Sequence, residues 1–206
     1  MSEIPRSMQA TTPYVAAAVD RSRRARPSGW WGVLLFICTE ATLFGLMIAS
    51  YFYLRFYNAQ WPPAGIEKPK VLLPLVLTAV LVASAVPLLM AVRSARRGHV
   101  RAAWLFVLAA IIVQSAYLGV QIHEFTSELD KMSPKDSSYA SIYFTLLGAH
   151  HLHVAAGILL ELWLVGRLLG GMTNYRFIAL RAIALYWYFV AALGVAVVFT
   201  QIYPSL

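Results

Sequence analysis

The chain has 206 residues, 60% of them hydrophobic and only 13% charged, with a formal net charge of +8. Soluble domains carry about 25% charged residues, so this composition excludes an ordinary soluble enzyme and indicates an integral membrane protein. A single cysteine, Cys38, excludes a disulfide framework and a cysteine metal site.

The first 28 residues contain Pro5, Pro13 and Pro27, with Arg21, Arg23, Arg24 and Arg26 near their end. They read as a flexible basic arm, with a transit peptide as the weaker alternative and no cleavable signal peptide. Residues 29–206 then form an all-α, five-transmembrane-helix bundle. Its spans are predicted at Trp31–Tyr57, Val71–Val92, Ala102–His123, Tyr139–Leu169 and Ala182–Tyr203.

The first span is uncharged up to Arg55 apart from Glu40. A carboxylate inside a membrane helix costs a few kcal/mol or more and marks a functional site by default. Glu40 stands nine residues in from Trp31, ~13 Å deep at 1.5 Å per residue. The second span carries Pro74 and Pro87, which membrane helices tolerate where neighbours satisfy the freed backbone groups. The third places Gln114, Tyr117, Gln121 and Glu124 on one face, with Glu124 at the interface.

The fourth span is the most polar. At 100° per residue, Tyr139, Tyr143, His150, His153, Gly157 and Glu161 fall within about 80° of one another, and His151 points away. Such a stripe faces other helices or water rather than lipid. Its plain reading is an interhelical hydrogen-bond seam without chemistry. Glu40 lies at a depth where it can approach the His153–Glu161 stripe, paired with an imidazole or carrying a proton. A bis-histidine haem needs ligands from two helices, whereas the deep histidines share one. His150 and His153 with Glu161 or Glu40 have metal-ligand chemistry but no tight cluster. The aromatic residues Trp30, Trp31, Tyr51–Tyr57, Trp61, Trp104 and Tyr203 read mostly as interfacial anchors.

Basic residues are distributed unevenly between the two sides. Arg6, Arg21, Arg23, Arg24, Arg26, Arg93, Arg96, Arg97, Arg101, Arg167, Arg176 and Arg181 fall on one side, and Lys68, Lys70, Lys131 and Lys135 on the other. The positive-inside rule therefore puts the N-terminus in the cytoplasm and the C-terminus outside. The acidic loop Glu124–Ser138 lies outside. The basic charge belongs to loops, so no nucleic-acid partner is expected. No internal repeat stands out, which argues against an inverted-repeat, proton-coupled transporter.

Five segments, in order, resemble subunit III of the haem–copper oxidases. The run I-C-T-E-A-T-L-F-G is similar to the family helix that carries a buried, carbodiimide-reactive glutamate, and it aligns Glu40 with it. The loop W-P-P-A-G-I (Trp61, Pro62, Pro63 onward) resembles the family's W-P-P-x-G-I/V. Q-I-H-E-F aligns Gln121 and Glu124 with Q-x-x-E-Y. Tyr139–Gly157 resembles the helix whose two histidines and glycine match His150, His153 and Gly157. Y-W-Y-F-V-A, with Trp187, is similar to Y-W-H-F-V-D. Three positions depart from the pattern: Tyr188 replaces a histidine, Ala191 an aspartate and His151 a glycine.

The resemblance implies the short, five-helix bacterial form of cytochrome c oxidase subunit 3. Two further N-terminal helices of the longer form are not part of this pattern. Such a subunit carries no catalytic residue, metal or redox cofactor of its own. Haem and copper belong to partner subunits, and bound phospholipid is expected. Subunit I, subunit II, small subunits and a respiratory supercomplex are the expected partners, in the bacterial plasma (inner) membrane. The implied role is support of proton uptake, lipid binding and active-site stability in an oxygen-reducing, proton-translocating oxidase of aerobic respiration. A quinol oxidase subunit, a nitric-oxide-reductase-associated homologue and a transporter are the alternatives. Glu40, His150, His153 and Glu161 are the proton-related candidates.

Overall fold

In the computed structural model, residues 28–66 and 71–203 are described. Most of the basic arm, together with Lys68 and Lys70, lies outside these residues. The described chain is helical: α1 Ser28–Tyr57, α2 Leu72–Ala83, α3 Ala85–Arg96, α4 Val100–Leu129, α5 Ser138–Leu168 and α6 Asn174–Ile202. Five helices are long and apolar enough to cross a membrane, α2 and α3 together making the second.

The predicted second span is thus two helical segments. Pro87 has no N–H, so the carbonyl of Ala83 loses its donor and is pressed by the proline ring. The break falls at Ser84, whose hydroxyl donates to the Leu81 carbonyl at 2.6 Å. Pro74 sits in the first turn of α2, where a missing N–H leaves no gap in the ladder.

Two helix ends differ from the sequence expectation. The third span continues past His123 to Leu129. The last begins at Asn174, eight residues before Ala182. Its N-cap is Thr173, whose hydroxyl accepts from the Arg176 N–H at 3.2 Å. Hydropathy misses these turns because they carry His123, Glu124, Arg176 and Arg181, charges or imidazoles that interfacial helix ends readily hold.

Helix α6 is central, packing on α1, α2, α3 and α5, while α4 closes the other side against α2, α3 and α5. The apolar core includes Leu81, Leu88, Val107, Leu164, Trp187 and Val190, all fully buried. Helix α1 lies on the flank, touching α5 and α6. Among its described side chains only Phe44 and Tyr51 are buried. Arg93, Arg96, Arg97, Arg101, Arg167, Arg176 and Arg181 gather at one end of the bundle, and the loop from Asp130 to Ser137 lies at the other.

Two aromatic residues expected as interfacial anchors are internal. Trp61 is buried between Tyr51 and Tyr139, edge-on to each, with centroids 5.3 and 5.0 Å away. Its indole N–H donates to the Tyr51 hydroxyl at 3.0 Å. Edge-to-face packing and a satisfied N–H favour this internal position over the interface. The peptide between Trp61 and Pro62 is cis. The loop closes on Pro63, whose carbonyl accepts from the Ile66 N–H, and on Gly65, whose φ of 93° suits glycine.

Candidate functional site

Glu40 of α1 meets His153 of α5, with Oε2 2.9 Å from Nε2. The other ring nitrogen, Nδ1, lies 2.8 Å from the Ala149 carbonyl oxygen. A carbonyl cannot donate, so Nδ1 carries a hydrogen. Two bare acceptors would repel at 2.9 Å, so one proton also lies between Nε2 and Oε2. The pair is then carboxylate with imidazolium, or carboxylic acid with imidazole. Both arrangements are neutral in sum, which lowers the cost of placing an acid in a membrane helix.

The surroundings hold the pair in place. Phe44, one turn after Glu40, stands edge-on to the imidazole with centroids 5.2 Å apart. The Tyr186 hydroxyl of α6 donates to the His153 carbonyl at 3.1 Å. The side chains remain 12% and 18% exposed for His153 and Glu40, on the flank where α1 packs. The site can therefore exchange a proton or a hydrogen bond with whatever covers that flank.

Glu161 does not join Glu40. It is fully buried against α4, where its Oε1 accepts from Gln114 Nε2 at 3.0 Å. Glu161 Oε2 and Gln114 Oε1 have no partner. The 80° sector read as one stripe faces several neighbours: His153 turns to α1, Glu161 to α4 and Gly157 to α6. His150 is buried with neither ring nitrogen bonded. Its imidazole lies against Gly194, where a Cβ would stand 3.1 Å from Nε2 and 2.4 Å from Leu81 Cδ2. His151 is buried edge-on to Phe125, centroids 5.5 Å apart.

The structural positions also find partners. A Cβ on Gly157 would stand 2.8 Å from the Trp187 ring. Trp187 is fully buried, and its Nε1 donates to Ser84 Oγ at 3.0 Å, linking α6 to the α2–α3 break. Gln121 gives its amide to the Tyr117 hydroxyl at 2.8 Å. Glu124 is half-buried at the mouth of a cavity between α2, α4, α5 and α6. Ser84, Gly194 and Tyr186 were missed by the sequence reading. Tyr186 offered a signal as a hydroxyl on an apolar helix, whereas Gly194 offered none until its neighbour was known.

The family described as cytochrome c oxidase subunit III matches residues 23–204. The chain belongs to the cytochrome c oxidase subunit III family.

It is 28% identical to the cytochrome c oxidase subunit 3 of Thermostichus vulcanus, over 91% of this chain and 92% of that one. It is 30% identical to the cytochrome bo(3) ubiquinol oxidase subunit 3 of Pseudomonas aeruginosa, over 85% of this chain and 82% of that one. It is 27% identical to the quinol oxidase subunit 3 of Bacillus subtilis, over 85% and 84%. The Glu40–His153 contact joins two of the five segments that resemble this family. At the departures, Tyr188 is half-buried on α6 and Ala191 is buried. Glu40 bonds to His153, so the acid is held without a histidine at position 188.

Proposed function

We propose that this chain is the non-redox subunit III of a proton-pumping haem–copper terminal oxidase, embedded in a bacterial plasma membrane with its N-terminus in the cytoplasm. The observation that carries this reading is the open outer face of α1. Cys38, Thr42, Gly45 and Ala49 are exposed at spacings of four, three and four residues, opposite the face that bears Glu40 and Phe44. Small residues at this spacing let a second membrane helix approach closely. The occupant is the catalytic subunit I, which carries haem and copper, with subunit II and small subunits beyond it.

In this reading Glu40 and His153 lie on the inner side of α1, one helix away from the seam with subunit I, and bear on proton uptake and active-site lifetime by anchoring that helix. The chain also takes phospholipid and could sit within a supercomplex. Cytochrome c is the favoured donor. The relatives named as quinol oxidase subunits support quinol as the second reading.

The test is purification of the tagged chain from membranes, with a visible spectrum. Haem bands in stoichiometric amount are expected, and oxidation assays with reduced cytochrome c and with quinol separate the donors. A haem-free preparation, with oxygen reduction and oxidase lifetime unchanged on deletion of the chain, would overturn the proposal.

A further inference from the structure

Helix α4 carries a line of polar side chains through the bundle. Gln114, Tyr117, Gln121, Glu124 and Glu128 recur every three or four residues, so they share one face over ~21 Å of helix. Gln114, Tyr117 and Gln121 are buried, and Glu124 and Glu128 are half-buried. Polar groups are costly inside a membrane helix, and a line of them needs water or one another.

At the acidic-loop end the line opens into the cleft between α2, α4, α5 and α6, where Gln121, Glu124, Glu128 and Tyr143 form part of the wall. The cleft holds about 80 Å³ of space. One water needs ~10–15 Å³ of such space and two or more polar partners, so several fit. Gln121 gives its amide to the Tyr117 hydroxyl at 2.8 Å. That hydroxyl keeps its own hydrogen for a further acceptor.

At the inner end the line stops at Glu161 of α5, whose Oε1 accepts from Gln114 Nε2 at 3.0 Å. Glu161 Oε2 and Gln114 Oε1 have no partner among the described residues, and both residues are fully buried. An amide oxygen and a carboxylate oxygen are both acceptors, so neither satisfies the other. An ionised Glu161 would be a costly bare charge in this seam and would leave Gln114 Oε1 without a donor. A carboxylic acid has an O–H to give. Toward the arginine end the same two helices turn apolar: Val107 and Ala110 on α4, Leu164 and Leu168 on α5, all buried. The polar lead from Glu161 therefore runs one way, to the cleft.

We propose that Glu161 is a carboxylic acid whose proton exchanges with the acidic-loop side of the bundle, through water threaded along Gln114, Tyr117 and Gln121. The acid gives its Oε2 proton to a water and takes one of that water's own. One O–H bond breaks, another forms, and the net charge is unchanged. The site is a buried proton store open to one side only. It is separate from the Glu40–His153 pair, which joins α5 to α1. It does not depend on the oxidase reading, so haem co-purification and this exchange can fail independently.

The experiment is infrared spectroscopy of the full chain in detergent, transferred rapidly from H2O to D2O. A protonated-carboxyl C=O band is expected near neutral pH, and Glu161→Gln identifies it by its loss. Its deuterium shift should appear well before the α5 backbone amides exchange. Tyr117→Phe and Gln121→Leu should each slow that shift several-fold, and Trp104→Phe, at the arginine end, should leave it unchanged. The amide bands of the same spectra show that each variant is folded, and either of the two slowing variants suffices alone. Absence of any acid band that Glu161→Gln removes overturns the proposal. So does exchange no faster than the α5 amides, an unchanged rate in Tyr117→Phe and Gln121→Leu, or equal slowing by Trp104→Phe.

Discussion

His153 and Glu40 lie 113 residues apart in the chain and meet at 2.9 Å between Nε2 and Oε2. The Ala149 carbonyl fixes the hydrogen on the opposite ring nitrogen, so the contact holds one proton on one line. This sets what each substitution removes. Glu40→Gln keeps the shape, and its amide N–H donates to Nε2, but it ends the exchangeable proton. Assembly should match the parent protein while oxidase lifetime or proton uptake falls. Glu40→Ala removes the bond as well and should lower assembly further. Subunit stoichiometry and turnover number over time check this. Equal assembly and lifetime in both variants would sink a structural or proton-related role.

The pair between Gln114 and Glu161 allows a sharper energetic test. Both residues are fully buried, and one oxygen on each has no partner. Removing Gln114 alone, as Gln114→Leu, leaves a buried carboxyl group unpaired and should cost ~1–3 kcal/mol. Glu161→Leu leaves an amide unpaired and should cost ~1–3 kcal/mol. The double substitution replaces polar groups by apolar ones and should recover most of the loss. Denaturation of the four proteins in detergent gives the coupling, and simple additivity would show that the two do not act as a pair.

These two pairs show how far a sequence reaches. Depth counting from Trp31 brought Glu40 to the level of the His153–Glu161 stripe, because rise per residue is fixed, but did not choose its partner there. Angular counting put His153 and Glu161 in one stripe, correctly as geometry. It missed that a sector of a bundle helix faces several neighbours, so the two acids serve different seams. Family-like motifs located Trp61 and Gly157, but not what they touch. Trp61 reads as an interfacial anchor until Tyr51 and Tyr139 close around it. The spans were legible from hydropathy. Their ends were not, since helix termini at an interface carry the charges that end a hydropathy window.

The helix contact at Gly157 should tolerate no side chain. A Cβ there would stand 2.8 Å from the Trp187 ring, which is rigid and itself fully buried. At Gly194 the nearest atom is the tip of Leu81, which can rotate. Overpacking costs ~1–3 kcal/mol. Gly157→Ala should fall at the upper end and Gly194→Ala lower, with Leu81→Ala partly rescuing the second. Melting temperatures of the purified chain rank them, and the reverse order would refute the packing argument.

On the outer face of α1 the described residues offer no cover. Gly45 has nothing within 4 Å of a built Cβ, and Ala49 is exposed on the same face. Both positions are exposed and a Cβ at Gly45 meets no neighbour, so leucine at either should not weaken folding of the isolated chain. If a partner helix packs there, the added side chain holds the backbones apart and removes close contacts along the stripe. Gly45→Leu should then reduce co-purified haem several-fold, and Gly45→Leu with Ala49→Leu should abolish it. A substitution at Leu43, exposed on α1 away from this stripe, controls for surface change. Full haem recovery in the double variant would place the catalytic partner on another face of the bundle.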